Sequence, residues 1–154
     1  MDLKNYTSGV PVSKTIGRIE EILAKSGATG IMKKYKDGVL EAISFSIELP
    51  VEKRQVAVQL PANVDAVYTT MRNSIKRPRR DTLNKLKEQS ERTAWKLMQD
   101  WVEVQISLIQ IQKIDFMQVF LPYIWNGEQT FYHVLKEQKF KALLPEQGSH
   151  FEDT

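Results

Sequence analysis

The sequence predicts an α+β fold in which a three-stranded antiparallel meander packs on helices around one long central helix. Three observations predict it. Apolar and polar residues alternate between positions 29 and 60, with turn residues between the runs, which is typical of strands. Before and after that stretch apolar residues recur every three to four positions, which is typical of helices. Residues 81–112 contain neither glycine nor proline, so one helix can continue through them.

The first helix is predicted at residues 13–26, where Ser13 offers an N-cap and Gly27 fits the C-terminal position. Residues 29–36 and 39–49 then form two strands joined by a tight turn at Asp37-Gly38. A third strand covers residues 55–60. The buried face of the second strand is predicted to carry Val39, Ile43, Phe45, Ile47 and Leu49, with Glu41 as an interruption.

A second helix is predicted at residues 64–73, capped by Asn63, and the long helix at 81–112. The C-terminal third is predicted to be helical, with a short helix after Asp115 and a last one at residues 128–138. We expect a single domain over residues 1–144, consisting of an α-β-β-β-α unit at 13–73 and the helical part at 81–144. Residues 145–154 are expected to form a flexible tail.

The long helix carries two apolar stripes side by side, which together cover an arc of roughly 200°. One stripe is Ala94, Leu97, Trp101, Val104, Leu108 and Ile111, and the other is Trp95, Met98, Val102, Ile106 and Ile109. An arc this wide indicates either the central helix of a domain or a helix shared with a second subunit. We favour self-association and expect a homo-oligomer. The residues assigned to this core or self-association face are Trp95, Met98, Trp101, Val102, Ile106 and Ile109.

The composition is that of an ordinary globular protein, with 154 residues, 42% hydrophobic and 27% charged. The absence of cysteine excludes disulfides and thiolate chemistry. The first residues contain no apolar run of signal-peptide length, and no run approaches a membrane span. We therefore expect a soluble cytoplasmic protein without membrane contact.

Positive charge is concentrated in the first half of the chain. Residues 1–80 carry 14 Lys and Arg against 8 Asp and Glu, whereas residues 81–154 carry 8 against 11. The densest cluster surrounds Pro78, and the first strand adds three lysines as expected neighbours. Because such cations bind phosphates, the predicted nucleic-acid-binding residues are Arg72, Lys76, Arg77, Arg79, Arg80, Lys33, Lys34 and Lys36. A solvated, charge-rich loop is the alternative interpretation.

Catalytic signals are scarce, so we expect no enzyme activity, no cofactor and no metal site. The two histidines, His133 and His150, do not stand at metal-ligand spacing, and no phosphate-binding glycine loop is present. The carboxylates of Asp100 and Glu103 are close in sequence, and we interpret them as solvated charges on the polar side of the long helix.

Short segments spread over residues 6–135 are informative together. They are Tyr6-Thr7, Val10-Pro11, Thr15-Ile16, Lys25-Ser26-Gly27-Ala28-Thr29, Leu60-Pro61-Ala62-Asn63-Val64, Ala94-Trp95-Lys96, Asp100-Trp101-Val102-Glu103 and Leu121-Pro122-Tyr123. In combination they resemble a set of small proteins encoded by bacteriophages, prophages and other mobile elements. The resemblance implies a bacterial cytoplasm and a non-virion accessory role in nucleic-acid transactions or in countering host defence. It assigns no functional residues.

These observations predict a non-catalytic accessory protein that associates with DNA or RNA through its basic cluster. The alternative is a homo-oligomeric anti-defence inhibitor that sequesters a host defence protein or its nucleotide signal.

Overall fold

The computed structural model describes residues 2–112 and 115–146 and confirms the predicted α+β fold. In chain order the elements are α1 (Val12–Lys25), β1 (Ala28–Lys36), β2 (Val39–Leu49), β3 (Arg54–Gln59), α2 (Val64–Asn73), α3 (Arg80–Gln112), α4 (Phe116–Phe120), a 3₁₀ turn (Leu121–Tyr123), β4 (Ile124–Trp125) and α5 (Phe131–Glu137). The long helix α3 begins within one residue of its predicted start.

The sheet is antiparallel, with the strand order β1-β2-β3-β4. Asp37 and Gly38 join β1 to β2 with φ values of 51° and 78°. Two positive φ values are what a type I′ hairpin turn requires, so the predicted tight turn is confirmed. The fourth strand was not predicted. Because Ile124–Trp125 pairs with β3, the C-terminal third is not wholly helical, as the sequence pattern suggested, but also completes the sheet.

A bulge in the β1–β2 hairpin changes which apolar residue of β2 faces the core. Lys34 pairs with Ala42 and Tyr35 pairs with Leu40, which leaves Glu41 without a partner across the strand. The extra residue places Leu40 on the same face as Ile43, and Leu40 is 7% exposed while Val39 is 39% exposed. The prediction that Val39 faces inward was therefore wrong.

The core lies between the sheet and the helices α1, α3 and α4. Its buried members include Ile19 and Leu23 of α1, Trp95 and Val102 of α3, and Phe120 of α4. Trp95, Met98 and Val102 lie within this core, and Trp101, Ile106 and Ile109 pack against it. The six residues assigned to a core or self-association face are thus in contact with the core of a single chain, which is the first of the two alternatives.

The N-terminal segment before α1 crosses the middle of α3 through polar contacts. Asp100 accepts hydrogen bonds from Lys4 Nζ at 2.6 Å and from Asn5 Nδ2 at 2.9 Å. Thr93 Oγ1 donates to the Asn5 carbonyl at 3.0 Å, and the Ser8 carbonyl accepts from Gln89 and Arg92. Partial burial raises the pKa of Asp100, but the bonds from Lys4 and Asn5 outweigh it, so this pKa is lowered overall.

Two predicted helix starts differ from the structure. Helix α1 begins at Val12 after Pro11, so Ser13 is inside the helix and is not its N-cap. Helix α5 begins only at Phe131, because the side chain of Asn126 accepts hydrogen bonds from the next backbone N–H groups and holds residues 126–129 in a turn. Most of the predicted tail, residues 147–154, lies outside the described residues.

Candidate nucleic-acid interface

Five of the predicted phosphate-binding residues lie together between α2 and α3. Arg72 is in the last turn of α2, Lys76, Arg77 and Arg79 are in the link, and Arg80 is the first residue of α3. All five side chains are exposed. We call these five residues the basic connection.

The backbone turns sharply in the basic connection for local reasons. The Ser74 N–H donates to the Met71 carbonyl at 3.2 Å, which closes the last turn of α2. Arg77 has a φ of 55°, in the left-handed region, and redirects the chain. Pro78 follows, and its ring and missing N–H prevent α2 from continuing into α3.

Apolar contacts fix this turn against α3. Met71 is buried, and its Sδ lies 3.5 Å from Ser90 Oγ, which donates to the Leu86 carbonyl of α3. Ile75 and Pro78 are half-buried beside exposed cations. Ser90 lies ten residues after Arg80, so the contact with Met71 is about 15 Å along the helix axis from the first residue of α3. The turn is therefore held by its apolar side chains, while the cations of the basic connection remain accessible.

The local electrostatics favour an anion at the basic connection. The ion pairs among the described residues include none of its five side chains. The N-terminus of α3 also lies here, where backbone N–H groups without intrahelical partners carry partial positive charge. Asp81, in the first turn of α3, opposes this with one negative charge. Five cations against one nearby carboxylate leave a positive surface.

The three lysines of β1 do not join the basic connection. Lys33 forms an ion pair with Glu20 of α1 at 2.5 Å, and Lys34 forms one with Glu41 of β2 at 3.2 Å. Contact with the Glu20 carboxylate raises the pKa of Lys33, against partial burial that lowers it. Lys33 and Lys34 are consecutive strand residues, so their side chains leave opposite faces of the sheet. Each of these two lysines is thus already paired with a carboxylate of its own chain.

Lys36, the third lysine of β1, lies beside the opposite end of α2. It lines a cleft with Asp65 and Glu91, among other residues. Asp65 is in the first turn of α2 and Arg72 is in its last, about 10 Å apart along the axis. Each lysine of β1 therefore has a carboxylate nearby, whereas no ion pair among the described residues includes a side chain of the basic connection.

Sequence reasoning also missed a cation that α3 contributes. Lys87 lies seven residues after Arg80, two turns along the helix on the same face, and its side chain is exposed. The seven-residue spacing was visible in the sequence. Lys87 borders the same mixed-charge cleft as Lys36, so the positive surface ends there.

The residues considered for catalysis have structural partners. Thr130 Oγ1 and His133 Nδ1 are 2.8 Å apart at the start of α5, where each satisfies the other. Asp100 is bound by Lys4 and Asn5, whereas Glu103 contacts Arg18 at 3.2 Å, so the two carboxylates have separate partners. Within residues 2–112 and 115–146, no three His, Asp or Glu side chains are grouped for a metal ion. His150 lies outside the described residues.

No helix in the described part of the chain is long and apolar enough to cross a membrane. Comparisons of the chain with protein families, with curated proteins and with solved structures found no match.

Proposed function

We propose that this protein is a non-catalytic accessory protein of a bacteriophage or other mobile element, and that it associates with nucleic acid in the bacterial cytoplasm. The observation that carries the proposal is the basic connection, five exposed cations without carboxylate partners among the described residues, held on a turn that apolar side chains fix. The resemblance described above supplies the biological setting.

Binding through this surface depends mainly on the phosphate backbone. Arginine presents a planar fork of N–H donors that can contact two phosphate oxygens at once, and three or four such side chains can span adjacent phosphates. Contacts to phosphates carry little sequence information. The proposed interaction is therefore largely independent of base sequence, and it weakens as salt concentration rises because neutralised phosphates release condensed counterions.

The test is a series of fluorescence-anisotropy titrations on labelled duplex DNA, single-stranded DNA and RNA at several salt concentrations. The test variant replaces Arg77, Arg79 and Arg80. Alanine suits the last two positions, but Arg77 is better changed to Asn, because a φ of 55° strains alanine more than asparagine. Each lost duplex contact lowers the salt slope by about 0.9, so the expected reduction is up to about 2.7.

A matched control removes three charges elsewhere, at the exposed Lys14, Lys25 and Lys141, each changed to Ala. Its net charge equals that of the test variant, so a general loss of charge would affect both alike. We expect the control to retain the wild-type slope and both variants to retain the wild-type circular dichroism spectrum. Absence of binding by the wild-type protein at low salt would refute the proposal, as would equal slopes in test and control variants.

A further inference from the structure

The end of α3 presents an apolar stripe that the described residues of its own chain leave open. Val104 is 54% exposed and Ile111 is 78% exposed, with the half-buried Leu108 between them. These residues continue from Leu97 and Trp101 in alternating steps of four and three. A mean period of 3.5 residues is typical of a coiled-coil seam and differs from the 3.6 of an isolated helix. We call Val104, Leu108 and Ile111 the open seam.

The described residues of the chain cover this stripe only up to Trp101. Its indole makes edge-to-face contacts with Phe120 and Tyr123, at ring-centre distances of 5.7 and 5.2 Å. Beyond it, residues 104–112 contain no Asp, Glu, Lys or Arg, although Ser107 and Gln110 are exposed to solvent. A helix side that stays in water usually carries charges, whereas depletion of charge is typical of the centre of an interface.

We propose that a second copy of this chain covers the open seam, with the two α3 helices antiparallel and the two-fold axis near Leu108. Val104 of one copy then faces Ile111 of the other. The stripe has no charge with which to select a charged partner, and burying a partner's charge against it would be costly. The same seam on a second copy is apolar, uncharged and of the same period, so it meets these requirements.

The antiparallel orientation separates the carboxylates next to the seam and opposes the two helix dipoles. A parallel pair would place Asp100 and Glu103 of both copies at one end of the seam, together with Lys4 and Arg18, which pair with them within each chain. In the antiparallel pair Glu103 lies five residues from the axis in each copy, so the two carboxylates are about 15 Å apart along the helices. The helix dipoles also oppose each other in this arrangement.

The length of the open seam determines the expected affinity. A standard stable interface buries about 800 Å² per partner. Three side chains and their polar neighbours supply less than that, so we expect a dimer with a dissociation constant in about the micromolar range or weaker. The first measurement is therefore sedimentation over a wide protein concentration range, in which the mass should rise from 17.8 kDa toward twice that value.

Two substitutions test whether the open seam causes this association. Changing Val104 and Ile111 to Lys places like charges across the seam and should weaken the dimer at least about tenfold. The control Met32→Lys changes an equally exposed apolar residue on β1 and should leave association unchanged. A wild-type protein that remains monomeric at every concentration would overturn the proposal. So would a dimer that survives the double substitution.

The absence of cysteine from the chain allows a direct test of orientation. Under mild oxidation Leu108→Cys should cross-link to itself, because the two copies meet there on the axis. Val104→Cys should cross-link efficiently only when mixed with Ile111→Cys, and Met32→Cys should not cross-link. Self-cross-linking of Val104→Cys alone would indicate a parallel pair and contradict the proposal. These experiments contain no nucleic acid, so their outcome is independent of the proposed function.

Discussion

The two tryptophans Trp95 and Trp101 of α3 occupy different environments. Truncating them should therefore lower the free energy of unfolding by different amounts. Trp95 is 0% exposed, in the core between α3, α1 and the sheet. Trp101 is half-buried and makes edge-to-face contacts with Phe120 and Tyr123. Truncating a fully buried aromatic side chain usually costs about 3–5 kcal/mol.

In the structure the fully buried tryptophan is Trp95, so this cost applies to Trp95→Ala. Trp95→Ala removes a wholly buried indole and should lower the free energy of unfolding by about 3–5 kcal/mol. Trp101→Ala removes two edge-to-face pairs, each contributing about 0.5–1.5 kcal/mol, from a side chain that already contacts solvent. The two pairs alone account for about 1–3 kcal/mol, and the buried part of the indole adds to this. We expect the total loss for Trp101→Ala to remain smaller than the loss for Trp95→Ala, because part of the Trp101 indole already contacts solvent.

Urea unfolding followed by far-ultraviolet circular dichroism measures both losses without depending on tryptophan fluorescence. The protein concentration should be kept low, so that association through the open seam does not contribute to stability. Val104→Ala is the control on the same helix, and its exposed side chain predicts a change within about 0.5 kcal/mol. If Trp101→Ala cost as much as Trp95→Ala, or if Trp95→Ala cost less than about 1 kcal/mol, the assignment of the core would be refuted.

Three further predictions follow from the fold. Because the pKa of Asp100 is lowered, its contact with Lys4 stabilises the fold above about pH 4, and this contribution is lost as the pH falls through the lowered pKa. Asp100→Asn should therefore lower the free energy of unfolding at neutral pH and have a smaller effect in acid. Urea titrations of both proteins at the two pH values would measure this difference. Leu40→Ala should cost about 2–5 kcal/mol and Val39→Ala less than about 0.5 kcal/mol in thermal unfolding, and the reverse order would contradict the bulge. Asn63→Ala removes the side-chain cap of α2 and should cost about 1 kcal/mol; an unchanged unfolding midpoint would show that this cap is dispensable.

Local information explains the features that were predicted correctly. The hairpin at Asp37-Gly38 depends on two adjacent residues that tolerate positive φ, and α3 depends on a long run without helix breakers. Asn63 was predicted as a cap and does accept a hydrogen bond from the Ala66 N–H at 3.0 Å. In each case the residues that determine the structure are neighbours in sequence, so one segment contains the whole signal.

The features that were missed depend on contacts between distant segments. The two residues of β4 are too few to show a period, and they are a strand only because β3 offers them an edge. Val39 and Leu40 are both apolar, so the pattern could not show which of them the bulge at Glu41 turns inward. The polar contacts of the N-terminal segment with α3 leave no periodic signal either, since Lys4 and Asp100 are 96 positions apart.

The candidate site shows the same division between local and distant information. The basic connection was visible because its five cations are close in sequence and surround a proline that interrupts the helix. The lysines of β1 have the same side-chain chemistry, but their environment is determined by Glu20 on α1 and by Glu41 across the hairpin. Charge density along the sequence identifies cations, whereas only the fold determines which of them have carboxylate partners.

The two proposed surfaces lie near opposite ends of α3, and together they predict a dependence on duplex length. Arg80 and Leu108 are 28 residues apart, or about 42 Å along the helix. An antiparallel dimer with its axis near Leu108 therefore separates its two basic connections by about 84 Å, the length of about 25 base pairs of duplex at 3.4 Å each. Duplexes longer than this should bind more tightly than shorter ones, because the second contact becomes intramolecular.

Lys substitutions at Val104 and Ile111 should abolish this gain and leave binding to short duplexes unchanged. A gain that persists in that variant would show that length dependence arises from another source, while the basic connection would remain the binding surface.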